Sequence, residues 1–220
     1  MDKLIYVLLD GVGDRPNPKL NYLTPLEAAY TPNLDKLVRK GISGIVHPVG
    51  KGISPESDIA VFCMLGYDFS SNYFGRGVVE TIGVGMNFKN GDLALRANFA
   101  TLGDNGIVTD RRAGRNLSQK EAGELADSIN NAKLSHNASF EFVPTIAHRA
   151  ILNLKIENKK LSAEISNTDP AYDRIGGIGV AKETNEKLYL QKSRPLKDIE
   201  GARLAADLVN EFTEKVISIL

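Results

Sequence analysis

Six large apolar or aromatic residues in succession, Leu4 to Leu9, closed by Asp10-Gly11, constrain the fold more than any other stretch of the chain. A run that does not alternate with polar residues reads as a strand buried on both faces, the kind found inside parallel sheets. Asp10 would then stand at the carboxyl end of that strand, the edge where α/β sheets bind ligands. A carboxylate there either handles a ligand or closes a turn by bonding its own backbone. A serine further along, Ser57, favours the first.

Downstream, Thr24-Pro25-Leu26-Glu27 has the pattern of a capping box with proline at the first helical position. Thr31-Pro32 repeats the device, Leu34, Leu37 and Val38 mark one helical face, and Gly41 is placed to end it. Ser43–Val49 reads as a second strand, so the chain opens as a parallel β-α-β unit. Ser57-Asp58 then precedes the apolar run Ile59–Leu65, which predicts a short helix with Ser57 at its N-terminus. That position suits a plain cap. It equally suits a nucleophile whose alkoxide or phosphoryl group is held by helix N–H groups. Ser54 is the weaker candidate, because Pro55 forces it into extended backbone.

After Gly91 the pattern changes. Strands are expected at Leu93–Leu102, Phe140–Val143, Ala150–Ile156 and Leu161–Ile165. A helix starts from the capping box Ser118–Glu121, and a last helix is capped by Asp198. The order β-α-β-β-α is that of a ferredoxin-like unit lacking its last strand. Between strand and helix lies Asp110-Arg111-Arg112-Ala113-Gly114-Arg115. Three guanidiniums this close repel one another unless anions are near, and arginine forks suit phosphate and carboxylate oxygens. A solvated turn is the other reading of the cluster. His148-Arg149 could add to it, and Asp169, before Pro170, has the setting of a turn residue.

With 27 basic and 27 acidic residues the formal net charge is zero, which argues against bulk attraction to nucleic acid or an anionic membrane. The single Cys63 allows no intramolecular disulfide, no signal-peptide pattern opens the chain, and no run approaches a membrane span. A cytoplasmic protein is expected. Zinc-type Cys/His spacing and a P-loop are absent from the sequence. Val12 stands where a haloacid-dehalogenase type phosphatase would need a second Asp. A strand-end Asp, a serine at a helix start and an Arg-rich insert remain, the apparatus of metal-assisted phosphoryl transfer.

Taken together, LLDGVGDRP, TPLEAAYTPNLDKL, ESDIAVFCMLGYD, GRGVVETIGVGM, RANFATL, DRRAGR and NTDP resemble the archaeal-type, cofactor-independent phosphoglycerate mutases of the alkaline phosphatase superfamily. The resemblance implies an isomerase, an intramolecular phosphotransferase that interconverts 3-phosphoglycerate and 2-phosphoglycerate through a phosphoserine. It implies two divalent ions (manganese, cobalt, magnesium or zinc), with Asp10 a metal ligand and Ser57 both nucleophile and ligand. Arg111, Arg112, Arg115, His148, Arg149 and Asp169 fall in the part that handles substrate. The family usually has glycine before the nucleophile; here that residue is Glu56. The family is also nearly twice as long as this chain.

The fold expected is therefore α/β: a partial alkaline-phosphatase-like parallel sheet over residues 1–90, and a ferredoxin-like α+β insert over residues 91–220. The chain matches an N-terminal half. Taken alone it is expected to lack metal ligands, to bind metal weakly, not to turn over, and to associate with a missing half or with itself. A phosphohydrolase or phosphopentose mutase of the same superfamily would share Asp10 and Ser57 but not DRRAGR and NTDP. A non-catalytic phosphate-binding fragment is the alternative of a different class.

Overall fold

The alternating stretch after Gly91 forms the first strand of an antiparallel sheet in a computed structural model that describes residues 3–9, 11–53, 55–68, 74–175, 178–182 and 187–220. The helices are α1 (Pro25–Ala28), α2 (Pro32–Lys40), α3 (Ser57–Met64), α4 (Arg76–Gly83), α5 (Gln119–Asn130) and α6 (Glu200–Ile219). The strands are β1 (Leu93–Asn98), β2 (Thr101–Leu102), β3 (Val108–Asp110), β4 (Ala138–Pro144), β5 (Arg149–Ile156), β6 (Tyr172–Ile175) and β7 (Ile178–Ala181). By packing the chain divides into two units, residues 1–46 and 47–220.

In the larger unit the main sheet has the order β1-β5-β4, every pair antiparallel. With α5 between β1 and β4, and α6 after β5, this is the predicted β-α-β-β-α arrangement. Leu93 lies opposite Leu154, and Leu95 and Phe142 flank Leu152. Because successive strand residues face opposite ways, these side chains share one face. There they form a core with Ala122, Ala126 and Ile129 of α5 and Ala205, Leu208 and Phe212 of α6. The rings of Phe140 and Phe212 meet edge to face at 5.1 Å, a favoured aromatic geometry. The predicted Ser118–Glu121 capping box starts α5. At its other end Asn130 exchanges two hydrogen bonds with the Phe142 backbone, each 2.8 Å, fixing the helix to β4.

The opposite face of the same sheet carries Ala94, Arg96 and Asn98, paired in register with Asn153, Ile151 and Arg149. Helix α4 covers it. Gly77 sits so close to β1 that a Cβ there would fall 2.1 Å from the Ala94 carbonyl oxygen. One turn on, the fully buried Thr81 donates its hydroxyl to the Gly77 carbonyl at 2.6 Å.

Several sequence expectations need correction. Neither residues 3–9 nor residues 43–49 form a strand. A central parallel strand takes its hydrogen bonds and its cover from segments distant in sequence. The side chains of Leu4–Leu9 are 48–92% exposed. In this smaller unit the Thr24–Glu27 capping box forms as predicted. Thr31 does not cap α2 through its side chain; its hydroxyl bonds Asp35 at 3.1 Å instead. Leu161–Ile165 is not a strand but a loop with one isolated bridge, Ile165 to Pro195. Helix α6 starts after Ile199, and Asp198 pairs with Arg203 rather than capping it. No helix among the described residues is long and apolar enough to cross a membrane.

Candidate active site

Helix α3 begins where Pro55 stops the preceding chain and the apolar run Ile59–Met64 takes over. Ser57 is its first helical residue, not its cap. The cap position belongs to Glu56, whose side chain makes no capping bond. First-turn N–H groups have no acceptor within a helix, and here they lie at the same end as the exposed Ser57. Ile59, two residues on, is fully buried and anchors the turn.

Around this end the charged side chains come from α3, α4 and β1. Arg76 donates through Nε to Glu80, one turn along α4, at 2.5 Å, and its Nη1 stands 3.9 Å from Asp58. Arg96 Nε stands 3.7 Å from the same Glu80 oxygen, too far for a hydrogen bond. Burial works against the charge on Arg76, but the Glu80 bond and the charges of Glu80, Asp58 and Glu56 together more than offset it and hold the guanidinium above its ordinary pKa. Arg96 has no such bond: burial, then the neighbouring Arg76, push its pKa down. Burial, then the charge of Asp58, raise the Glu56 carboxyl, against the pull of Arg76 and Arg96. The Glu56 carboxyl lies over the backbone of β7, where a Cβ on Gly179 would fall 2.9 Å from its Cδ.

The predicted arginine cluster divides in two. Arg111 turns to Asp169, donating from Nε to Oδ1 at 3.0 Å and from Nη2 to Oδ2 at 2.6 Å. Its guanidinium also stacks 5.0 Å from the Tyr172 ring centre. The Asp169 bonds raise the Arg111 pKa. Arg112 and Arg115 are exposed, on a turn held by Asp110, which accepts from the Arg112 and Gly114 N–H groups. Arg115 reaches the other group: with Arg149 and Arg96 it acts on the buried His148. Burial, then those three cations, lower the His148 pKa from 6.5, opposed by Asp110, so the imidazole is neutral near pH 7.

The structure thus brings Arg115, His148 and Arg149 together, pairs Arg111 with Asp169, and leaves Arg112 in solvent. Asp10 and Ser54 lie outside the described residues. Arg96, Arg76 and Glu80 join the site without having been singled out in sequence. The signal for Arg96 was a charged residue on a strand with helices predicted on both sides of it. A cleft of about 350 Å³ lined by Asn167, Tyr172, Asp173, Lys182, Gln191 and Arg194 opens beside the Arg111–Asp169 pair. None of its lining residues belongs to α3, α4 or the Arg96 group, so it is separate from the chemistry around Ser57.

Divalent ions need several hard or borderline donors in one place. Among the described residues no group of three or more His, Cys, Asp or Glu side chains converges as a metal site. The described residues alone do not fit such an ion.

The sequence pattern of a family described as 2,3-bisphosphoglycerate-independent phosphoglycerate mutase matches residues 38–220. The chain is 42% identical over 221 residues to the 2,3-bisphosphoglycerate-independent phosphoglycerate mutase of Aeropyrum pernix, covering 99% of this chain and 51% of that one. It is 39% identical over 218 residues to the enzyme of the same name from Methanosphaera stadtmanae, covering 99% and 49%. Among solved structures it is similar to the cofactor-independent phosphoglycerate mutase from Thermoplasma acidophilum, with a TM-score of 0.53 and 39% identity, over 97% of this chain and 51% of that one. The chain spans about half the length of the curated relatives it matches.

Proposed function

Because the chain belongs to the 2,3-bisphosphoglycerate-independent phosphoglycerate mutase family, we propose that it carries the phosphoryl-accepting serine and the substrate-handling insert of an enzyme interconverting 3-phosphoglycerate and 2-phosphoglycerate. The observation that carries the reading is Ser57: an exposed residue on the first turn of α3, at the helix's positive end.

In the proposed reaction Ser57 Oγ attacks the phosphorus of 3-phosphoglycerate. The Oγ–P bond forms as the bond from phosphorus to the C3 oxygen breaks, and the serine proton passes to that departing oxygen. In the reverse transfer the C2 oxygen bonds phosphorus as the Oγ–P bond breaks, and the C2 hydroxyl proton returns to Ser57 Oγ, giving 2-phosphoglycerate. The first-turn N–H groups and the positive end of α3 stabilise the charge on the phosphoryl oxygens. Arg112, Arg115, Arg149 and His148 are assigned to holding the glycerate. Arg111 and Asp169 are assigned to shaping that side of the site.

The family implies metal-dependent catalysis; manganese, cobalt, magnesium or zinc would lower the serine's pKa when bound. Asp10 and Ser57 are assigned as two of the ligands, and the others must come from outside the described residues. Residues 1–90 are assigned to the metal-binding domain and 91–220 to the insert. The exposed apolar side chains of Leu4–Leu9 are a surface that association would cover. A cytoplasmic location goes with this reading.

The test is Ser57→Ala, in the protein expressed from its complete reading frame, with an enolase-coupled assay for 2-phosphoglycerate. Turnover should vanish while the melting temperature holds, since an exposed side chain that caps nothing is worth only about 0.5 kcal/mol or less. Near-normal turnover would remove Ser57 from the role of nucleophile.

A further inference from the structure

Arg96 projects from the middle of β1 onto the sheet face that α4 covers, with its side chain only 20% exposed. Its one close carboxylate among the described residues is already engaged. The Glu80 oxygen nearest to it accepts the Arg76 Nε hydrogen at 2.5 Å, leaving Arg96 Nε at 3.7 Å from that same atom. Arg96 Nε is buried and has no hydrogen-bond partner among the described residues. Like charges flank it, Arg76 from α4 and Arg149 from β5, against the carboxylates of Glu80 and Glu56. Two more polar atoms nearby are buried without a partner among the described residues. They are Asn98 Oδ1, two residues along the same strand face, and Nδ1 of His148, the residue before Asn98's register partner Arg149.

A guanidinium donor taken out of water and left unbonded destabilises the fold, and like-charged neighbours add to the penalty. Such a group is retained where a ligand supplies the missing acceptor, with stability given up for function. Arg96 is also placed to serve both halves of the reaction. Among the described residues it is the one cation that acts on both Glu56, beside Ser57, and His148 in the insert.

We propose that Arg96 is a substrate-binding residue whose Nε–H and fork receive the phosphoryl oxygens during transfer to Ser57, held in place by Glu80 without being satisfied by it. This inference rests on the proposed phosphoglycerate chemistry and adds to it a residue from the sheet face. It also accounts for the leftover acceptor on Asn98, which can take a hydrogen bond from a hydroxyl of the glycerate.

The test compares wild type, Arg96→Gln and Arg96→Lys, expressed from the complete reading frame. Melting temperatures are measured without ligand, with 3-phosphoglycerate and with inorganic phosphate, and ligand affinities by calorimetry. The expected result is that Arg96→Gln melts no lower than wild type without ligand, because it removes a repelled buried cation. Its affinity for both 3-phosphoglycerate and phosphate should fall at least tenfold, with loss of the ligand-induced rise in melting temperature. Arg96→Lys, which keeps the charge but not the fork, should recover only part of the affinity. A lower ligand-free melting temperature in Arg96→Gln with unchanged affinity would overturn the proposal and make Arg96 a structural partner of Glu80. If Arg96→Gln does not fold, Arg96→Lys with wild-type affinity would overturn it. Loss of 3-phosphoglycerate binding with phosphate binding kept would overturn the phosphoryl assignment in favour of the carboxylate. Failure of wild type itself to bind 3-phosphoglycerate would overturn the proposed function, whereas wild-type binding with an unaffected Arg96→Gln overturns this inference alone.

Discussion

Replacing Gly77 by alanine would test the geometry on which the charged site depends. The added Cβ would fall 2.1 Å from the Ala94 carbonyl oxygen, 2.6 Å from its carbon and 2.9 Å from the Leu95 Cα. All three are backbone atoms of β1, so no side chain can swing aside. Reaching an ordinary contact of 3.4 Å requires α4 to back away from the sheet by roughly 1.3 Å, as the difference from 2.1 Å dictates. That movement opens a gap beside the fully buried Thr81 and carries Arg76 and Glu80 away from Asp58 and Arg96. Overpacking of this kind costs typically about 1–3 kcal/mol, and more against rigid backbone. The helix propensity gained from Gly to Ala returns about 1 kcal/mol at most. The net loss should be about 2 kcal/mol, a fall of about 4–8 °C in melting temperature for a chain of this length. Gly123→Ala is the control: it lies inside α5 with nothing within 4 Å of its Cβ, so it should stabilise by about 0.5–1 kcal/mol. Thermal melts of both variants, read by circular dichroism, settle the matter. A Gly77→Ala protein as stable as wild type would show that α4 does not sit on β1 this closely.

Two other perturbations read the electrostatics. Because the folded state raises the Glu56 pKa, the wild type loses stability as pH climbs from 4.5 through that raised value. The depressed His148 acts in the opposite sense, withdrawing stability as pH falls below 6.5. Glu56→Gln should therefore be the more stable protein at neutral pH, with its advantage fading toward pH 4.5 and the acid-side decline from His148 unmasked. Urea melts from pH 4.5 to 8 that run parallel for the two proteins would contradict this. At the two-pronged Arg111–Asp169 pair, a double-mutant cycle with Arg111→Ala and Asp169→Asn should give a coupling of about 1–2 kcal/mol. Arg111→Lys should recover little, since lysine cannot form the fork; a coupling near zero would return the pair to a solvated turn.

How much of this was legible in the sequence depended on the range of the interactions involved. The capping boxes at Thr24 and Ser118 are written within four residues, and both formed as read. The strands around Leu93, Phe140 and Ala150 alternate or run apolar between clear breaks, and they pair as the β-α-β-β-α order requires. Leu4–Leu9 and Ser43–Val49 were read from composition, but a parallel strand exists only beside its neighbours. Thr31 and Asp198 had alternative partners, Asp35 and Arg203, that spacing alone does not rank against a helix end. The division of DRRAGR was beyond reach for a related reason. Arg111 finds Asp169 across 58 residues of chain, whereas the charge of Arg115 acts on His148, and nothing local separates the two. Arg96 was hidden in a strand whose other polar face residue, Asn98, made it look solvent-facing. Only the packing of α4 through Gly77 shows that this face is covered.

The contact between the Glu56 carboxyl and the Gly179 backbone carries a constraint on how the sequence can drift. Any side chain at position 179 would occupy space the Glu56 carboxyl now fills, with 2.9 Å where an ordinary contact needs 3.4 Å or more. Those atoms are the far end of a flexible side chain, so residue 179 can enlarge once the Glu56 carboxyl swings to another rotamer, leaving its present place beside β7. A lineage with glycine at position 56 is spared that rearrangement, so the hairpin strand β7 varies more freely when the residue that precedes Ser57 is small.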